Sequence, residues 1–362
     1  MPNKFCRYLS NGYSIQIRKN DLTVKPCCWF DGSIPLDDNL LENRKIKFDS
    51  ITDWTPACQA CYDIESAGQQ SLRQASFDWI GEENSTEAVS MDVYLDNTCN
   101  AACVICNESS SNLWAKEKQK IGIIPISNAN GQHNINEFIQ RISSLISLDN
   151  LRYVKFFGGE PLFTDTHIKF LKKIPNPSEV TVHYTTNGSM FPKKDVLDVW
   201  KDFKTIIYAA SLDGVEEQFD YIRWPLRWSK VSENLIKLKN QKINNLIFRV
   251  EFTANFLNSY YYDRLENWIQ DNLRSNYYGD ITDVNIHPCY GGIWDLGFMP
   301  IEIKRLIFEK YPKNHIIHNL VANLPENVVD NKSWKTFVET WDPVRKNSWE
   351  MAFPELKDSL NK

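Results

Sequence analysis

Three cysteines, Cys99, Cys103 and Cys106, stand in the run Cys99-Asn100-Ala101-Ala102-Cys103-Val104-Ile105-Cys106. Thiolates so closely spaced can face one small object, yet three are one short of closing a tetrahedral site. Structural zinc takes four protein ligands, and a [4Fe–4S] cluster usually takes four thiolates. The adjoining Asn107 and Glu108 supply no further Cys or His. The spacing therefore points to a cluster with one iron left open for a substrate or cofactor; zinc would need a ligand from elsewhere in the chain.

Further groups able to hold a polar ligand recur downstream. In Gly158-Gly159-Glu160-Pro161 the glycines let the backbone approach a ligand closely, and the carboxylate and carbonyls can accept hydrogen bonds from an ammonium group. The same sequence is also an ordinary turn. Thr186-Asn187-Gly188 and Ser211-Leu212-Asp213-Gly214 offer hydroxyl, amide or carboxylate groups to a ribose or a carboxylate. Asp213 reads as a turn residue. Arg223 carries a fork that suits a carboxylate bidentately, the alternative being a surface salt bridge. Cys289, in His287-Pro288-Cys289-Tyr290-Gly291-Gly292, has a thiol that could give a hydrogen atom to a substrate radical. Its other reading is a small buried apolar residue. His287 reads as structural, with ligation or proton transfer as alternatives.

Five cysteines lie before all of these: Cys6, Cys27, Cys28, Cys58 and Cys61. Their order, Cys…Cys…Cys-x2-Cys, provides four ligands and so can close a second site. That site suits a [4Fe–4S] cluster or a zinc ion. Nine cysteines in all, clustered and odd in number, read as metal ligation rather than disulfides.

The elements that must position these groups follow from periodicity. Residues 88–290 alternate strand-like and helix-like patterns. Strands are expected at Val89–Leu95, Leu151–Phe157, Glu179–Tyr184, Thr205–Ala210, Leu246–Thr253 and Ile281–Ile286. Helices are expected at Asn134–Leu148, His167–Ile174, Val196–Phe203, Val231–Leu238 and Tyr262–Leu273. About six βα units with short links predict an α/β fold with a parallel sheet. The polar, glycine-bearing and cysteine-bearing runs fall just after the strands, where such sheets carry their chemistry. Before them, short strands are expected at Tyr13–Lys19 and Leu22–Lys25. The expected domains are 1–80, 88–290 and a helical C-terminal extension, 291–362, in which no motif stands out.

Composition sets the outer bounds. The chain has 362 residues, 42% of them hydrophobic, enough for a sizeable core. A net charge of −5 argues against nucleic-acid binding as the main function. No apolar run reaches the ~20 residues of a membrane span, and the N-terminus has no apolar signal core. A soluble, cytoplasmic protein is expected. The 12 tryptophans read as core, or as the lining of a substrate cleft.

Cys-x3-Cys-x2-Cys resembles the signature of the radical SAM superfamily, and Gly158–Pro161 and Ser211–Arg223 resemble its later elements. The resemblance implies a partial (β/α)6 TIM-like barrel and a SAM-binding [4Fe–4S] cluster on Cys99, Cys103 and Cys106. It implies that the open iron chelates S-adenosylmethionine, whose reductive cleavage gives a 5′-deoxyadenosyl radical that abstracts hydrogen from a substrate. Ile105 would pack on adenine, unless it is simply a buried Ile. Gly158, Gly159 and Glu160 would bind the methionine amino group, Thr186, Asn187 and Ser211 would contact the cofactor, and Arg223 would meet its carboxylate. The N-terminal cysteines, with Lys25-Pro26-Cys27 and Glu65…Gly68…Ser71…Arg73, are similar to the twitch (short SPASM) module, which holds an auxiliary [4Fe–4S] cluster. That module usually follows the barrel, whereas here it precedes it. By this likeness Cys6, Cys27, Cys58 and Cys61 are the ligands, with Cys27 favoured over Cys28.

The leading reading is an enzyme that modifies a peptide or protein by epimerisation, crosslinking or oxidation, with an external flavodoxin- or ferredoxin-type electron donor. Catalysis on a small molecule or nucleotide is the second. A noncatalytic zinc-stapled binding protein is the third, and iron and sulfide analysis separates it from the others.

Overall fold

The structure is a computed structural model that describes residues 5–18, 21–66, 68, 70–79, 88–94, 96–126, 135–273, 283–324 and 333–360. Lys19, Leu95, Asn134 and Ile281, expected at element ends, lie outside these residues. The strands are β1 (Gly12–Arg18), β2 (Asp21–Lys25), β3 (Ile34–Pro35), β4 (Ser90–Tyr94), β5 (Tyr153–Phe157), β6 (Thr181–Thr186), β7 (Thr205–Ser211), β8 (Leu246–Ala254) and β9 (Asp283–Pro288). Four short helices accompany the first strands: α1 (Arg7–Asn11), α2 (Leu40–Arg44), α3 (Gln59–Ser66) and α4 (Leu72–Trp79). Between the later strands come α5 (Asn112–Lys120), α6 (Ile135–Leu145), α7 (Thr166–Leu171), α8 (Lys194–Trp200), α9 (Glu216–Ile222), α10 (Trp228–Lys239) and α11 (Tyr262–Asn272). The C-terminal extension is helical: α12 (Ile301–Lys310), α13 (Ile316–Ala322), α14 (Ser333–Arg345), α15 (Trp349–Ala352) and α16 (Lys357–Leu360).

Two compact units divide the chain. Met1–Cys99, Glu108–Thr186 and Pro192–Tyr208 form the first, and Asn100–Asn107, Asn187–Phe191 and Ala209–Lys362 form the second. In the first unit the strand order is β3-β2-β1-β4-β5-β6, followed by the beginning of β7. The end of β7, then β8 and β9, belong to the second. β4, β5 and β6 pair in parallel, as do β8 and β9. The strands from β4 to β9, with their intervening helices, make an α/β element order of the partial (β/α)6 barrel kind. β1 is antiparallel to β2 but parallel to β4. The N-terminal hairpin thus extends the sheet of the first unit.

Side-chain alternation fixes which face carries which chemistry. Met91, Val93, Val154, Phe156, Val182 and Tyr184 are all fully buried, and Phe156 meets Phe170 of α7 at 5.9 Å between ring centres. Tyr184 reaches Trp200 of α8 at 5.4 Å. Residues of odd parity in β5 and β6 take the other face, where Asp92 is registered with Lys155, and Lys155 with His183. In the second unit β8 alternates in the same way. Phe248, Val250 and Phe252 are buried, with Phe252 against Tyr262 of α11 at 5.0 Å, while Arg249, Glu251 and Thr253 take the opposite face.

The tryptophans are chiefly core. Among the described residues seven are buried: Trp114, Trp200, Trp228, Trp294, Trp334, Trp341 and Trp349. In the C-terminal extension Trp294 stacks on Phe256 at 5.4 Å and meets Phe337 at 5.2 Å. No helix among the described residues is long and apolar enough to cross a membrane.

Candidate active site

None of the nine cysteines is in a disulfide. Cys99 belongs to the first unit, and Cys103 and Cys106 to the second. In the first unit, the segment leaving β4 is tied to the segment leaving β5. Gly159 N–H donates to the Asp96 carbonyl at 3.0 Å, and Glu160 N–H to the Thr98 carbonyl at 2.8 Å. Cys99 N–H donates to the Asn112 side chain at 3.0 Å, at the start of α5. The two glycines serve this contact. Gly158 has φ of +103°, and a Cβ at Gly159 would stand 2.0 Å from the Thr98 carbonyl oxygen. The backbone that approaches closely is thus the one leading to Cys99. Glu160 is 3% exposed; its carboxylate accepts from the Thr186 hydroxyl at 2.6 Å and from Leu162 N–H at 3.1 Å.

In the second unit the loop Asn100–Asn107 is held from several sides. Ala102 N–H donates to the Trp224 carbonyl at 2.6 Å, Val104 N–H to that of Ile222 at 2.8 Å, and Cys106 N–H to that of Cys103 at 3.0 Å. Asn187 donates to the Asn100 side chain at 2.9 Å, and Asn100 donates to the Ser189 hydroxyl at 2.8 Å. Asn187 therefore orients the cysteine loop. Ser211 is buried at the end of β7, and Ile105 is half-buried.

Asp213 departs from its reading as a turn residue, and Arg223 from its alternative reading as a surface salt bridge. Asp213 is fully buried and accepts from Thr253 N–H at 2.8 Å. The Arg223 guanidinium lies 2.5 Å from its carboxylate, with the Arg223 side chain 12% exposed. A turn residue and a surface ion pair are thus replaced by a buried ion pair between residues ten apart. No local pattern signals this, because burial is a tertiary property. A second nitrogen of Arg223 donates toward Cys103 Sγ at 3.9 Å. Burial pushes the Cys103 thiol up, and Arg223 opposes that rise.

Cys289 follows β9. Its N–H donates to the Ala254 carbonyl at 2.7 Å and its carbonyl accepts from Leu296 N–H at 2.9 Å. Burial pushes its thiol up to about 11, with Asp295 and Asp213 adding to the shift. The thiol is therefore protonated near neutral pH, the form that can give a hydrogen atom. His287, read as structural, is exposed and partnered by a carboxylate. Its ring nitrogen lies 2.7 Å from Glu251, with the His287 side chain 56% exposed.

The N-terminal cysteines, all in the first unit, include four that line one cavity. Cys6, Cys27, Cys58 and Cys61 line it together with Trp29, Phe30 and Arg73. Cys28 instead bonds the buried Asp92 carboxyl, and burial holds its thiol up at about 12. Burial raises Cys6 to about 11 and Cys27 well above its ordinary value. Binding a metal there must displace these protons. Glu65, Ser71 and Arg73 frame the Cys-x2-Cys helix. Arg73 reaches Glu65 at 2.5 and 2.8 Å and donates to the Phe5 carbonyl, next to Cys6, at 2.9 Å. Gly68, with φ of +75°, makes the turn between them. A zinc ion would draw four sulfurs to within about 4 Å of one another. Among the described residues no three Cys, His, Asp or Glu side chains are gathered to hold a single ion. Four thiols lining one cavity are a donor set that suits a [4Fe–4S] cluster or, drawn together, a zinc ion.

Residues 93–264 match the family model described as the Radical SAM superfamily, and this part of the chain is a radical SAM domain. Such a domain implies a [4Fe–4S] cluster and SAM. Among solved structures, the chain is similar to histidine-tagged anSMEcpe with bound AdoMet (13% identity, 60% of this chain, 57% of that chain, TM-score 0.42). It is similar to SuiB of Streptococcus suis bound to S-adenosylmethionine (11% identity, 88% and 62%, TM-score 0.42). It is also similar to SuiB bound to the precursor peptide SuiA (12% identity, 95% and 74%, TM-score 0.41). The chain thus spans less than two thirds of the first two structures. No curated protein sequence matches it.

Proposed function

We propose that this protein is a radical SAM enzyme that abstracts hydrogen from a peptide or protein substrate. The observation that carries the reading is the radical SAM match over residues 93–264, which contains the three-cysteine loop. Cys99, Cys103 and Cys106 would hold the cluster. When bound, the cluster supplies an electron that cleaves SAM to a 5′-deoxyadenosyl radical. The chain's own residues bind and orient. Asn187 and the carbonyls of Ile222 and Trp224 fix the loop, and the Gly158–Glu160 backbone supplies carbonyl acceptors for an ammonium group. Glu160 is oriented by Thr186. The Ser211–Arg223 stretch, which resembles that of peptide-modifying members, supports a peptide substrate. Arg223 enters as half of an ion pair with Asp213, so a SAM carboxylate would meet a pair rather than an isolated fork.

Cys6, Cys27, Cys58 and Cys61 would hold an auxiliary [4Fe–4S] cluster, supported by their shared cavity. Cys289 would give its thiol hydrogen atom to a substrate carbon radical, forming the new C–H bond and leaving a thiyl. Its neutral, buried thiol supports this role. The test is anaerobic reconstitution with iron, sulfide, SAM and a one-electron reductant, with deuterated candidate peptides. Deuterium entering 5′-deoxyadenosine is expected, with about eight irons per chain. Cys289→Ala should keep 5′-deoxyadenosine formation and lose the reduced product; loss of SAM cleavage would remove the donor role. Bound zinc without acid-labile sulfide would overturn the enzyme reading.

A further inference from the structure

The C-terminal extension carries no motif, yet its longest helix ends on the cysteine loop. Arg345, the last residue of α14, is 3% exposed and donates through Nη2 to the Ala102 carbonyl at 2.9 Å. Ala102 immediately precedes Cys103. The Arg345 guanidinium carbon lies 5.3 Å from the centre of the Trp341 ring. The extension is also bolted to α9: the Tyr221 hydroxyl donates to Asp342 at 2.9 Å, and Gln218 donates to the Ala352 carbonyl at 2.6 Å. α9 and its C-terminal flank in turn supply the Ile222 and Trp224 carbonyls that hold Val104 and Ala102.

Charge concentrates at the same place. Arg223 reaches Cys103 Sγ from one side, and Arg345 holds the peptide before it. A reduced iron–sulfur cluster is more anionic than an oxidised one, and net charge around the sulfurs tunes its potential.

We propose that Arg345 is a positioning residue of the radical SAM domain, supplied by the C-terminal extension. It fixes the Ala102–Cys103 peptide and places a cation that favours the reduced form of the cluster held there. The proposal rests on reading Cys99, Cys103 and Cys106 as cluster ligands.

The test compares full-length wild type, Arg345→Gln and Arg345→Lys. In metal-free protein, amide hydrogen exchange at residues 102–106 reads the positioning. Exchange should quicken at least tenfold in the Gln variant and less in the Lys variant. After anaerobic reconstitution, an EPR redox titration follows the signal that changes on adding SAM, which separates it from any auxiliary cluster. Iron content should stay at the wild-type level in both variants. The reduced fraction at a fixed low potential should fall about tenfold in Arg345→Gln, a shift of about 59 mV for a one-electron couple, and Arg345→Lys should recover most of it. Unchanged exchange and unchanged titration would overturn the proposal. Faster exchange with an unchanged titration would overturn its electrostatic half. Should wild type assemble no cluster, the proposed function and the electrostatic half fail together, while the exchange comparison alone decides the positioning.

Discussion

The Asp213–Arg223 pair allows a quantitative test of the site's scaffold without any cofactor. At 2.5 Å and an effective dielectric of about 20, two unit charges attract by about 7 kcal/mol, much of it offset by the cost of burying both. Removing one partner forfeits the attraction and leaves the other charge buried. Asp213→Ala should therefore cost about 3–5 kcal/mol, at the upper end because Thr253 N–H also loses its acceptor. Arg223→Met should cost a similar amount. The double variant leaves no uncompensated charge, so its loss should fall short of the sum by about 2–3 kcal/mol. Urea unfolding of metal-free protein, followed by circular dichroism and tryptophan fluorescence, measures each corner of this cycle. Additivity to within about 0.5 kcal/mol would show that the two residues are not coupled as the geometry states.

Other expectations follow from single contacts. Gly159→Ala would drive a methyl into the Thr98 carbonyl, so the thermal midpoint should fall, with a loss of about 1–3 kcal/mol or more; an unchanged midpoint would refute the close packing. Cys27→Ser should lose about four irons per reconstituted chain, whereas Cys28→Ser should keep them, since only Cys27 of the two lines the cavity. His167 is buried against the Tyr184 hydroxyl at 2.8 Å, and burial lowers it to about 4. It stays neutral in the fold while the unfolded chain takes up its proton near pH 6.5. Its contribution is complete above pH 6.5 and is lost as pH falls to about 4, an effect of about 3 kcal/mol. His167→Asn should flatten that limb of the stability profile, and an unaltered slope would refute it.

Much of the fold is legible in the residues because period-two strands end in polar or glycine-bearing runs. The expected strand at Leu246–Thr253 ends one residue later, at Ala254, and the expected helix at Tyr262–Leu273 ends one residue earlier, at Asn272. α5 falls outside the expected helices: Asn112–Lys120 is mostly polar and lacks an apolar stripe, its signal being the Ser111 cap that accepts from Trp114 N–H. α9 lies under a motif, and Glu216–Ile222 reads there as a ligand stretch rather than a helix. Asp213 reads as a turn because turn propensity is local, while its burial depends on β8 and Arg223. Arg345 carries no local signal at all, since its partner Ala102 is 243 residues away.

The pairing of β1 with β4 makes the N-terminal block something other than a detachable module. Without residues 12–18, β4 would bare one line of backbone donors and acceptors, an edge inviting other chains to add strands. Deleting the first 80 residues to isolate the barrel would thus be expected to trade a paired edge for a self-associating one. Cutting the chain between residues 121 and 126, outside every strand, would keep β1 and β4 on one piece and that edge covered.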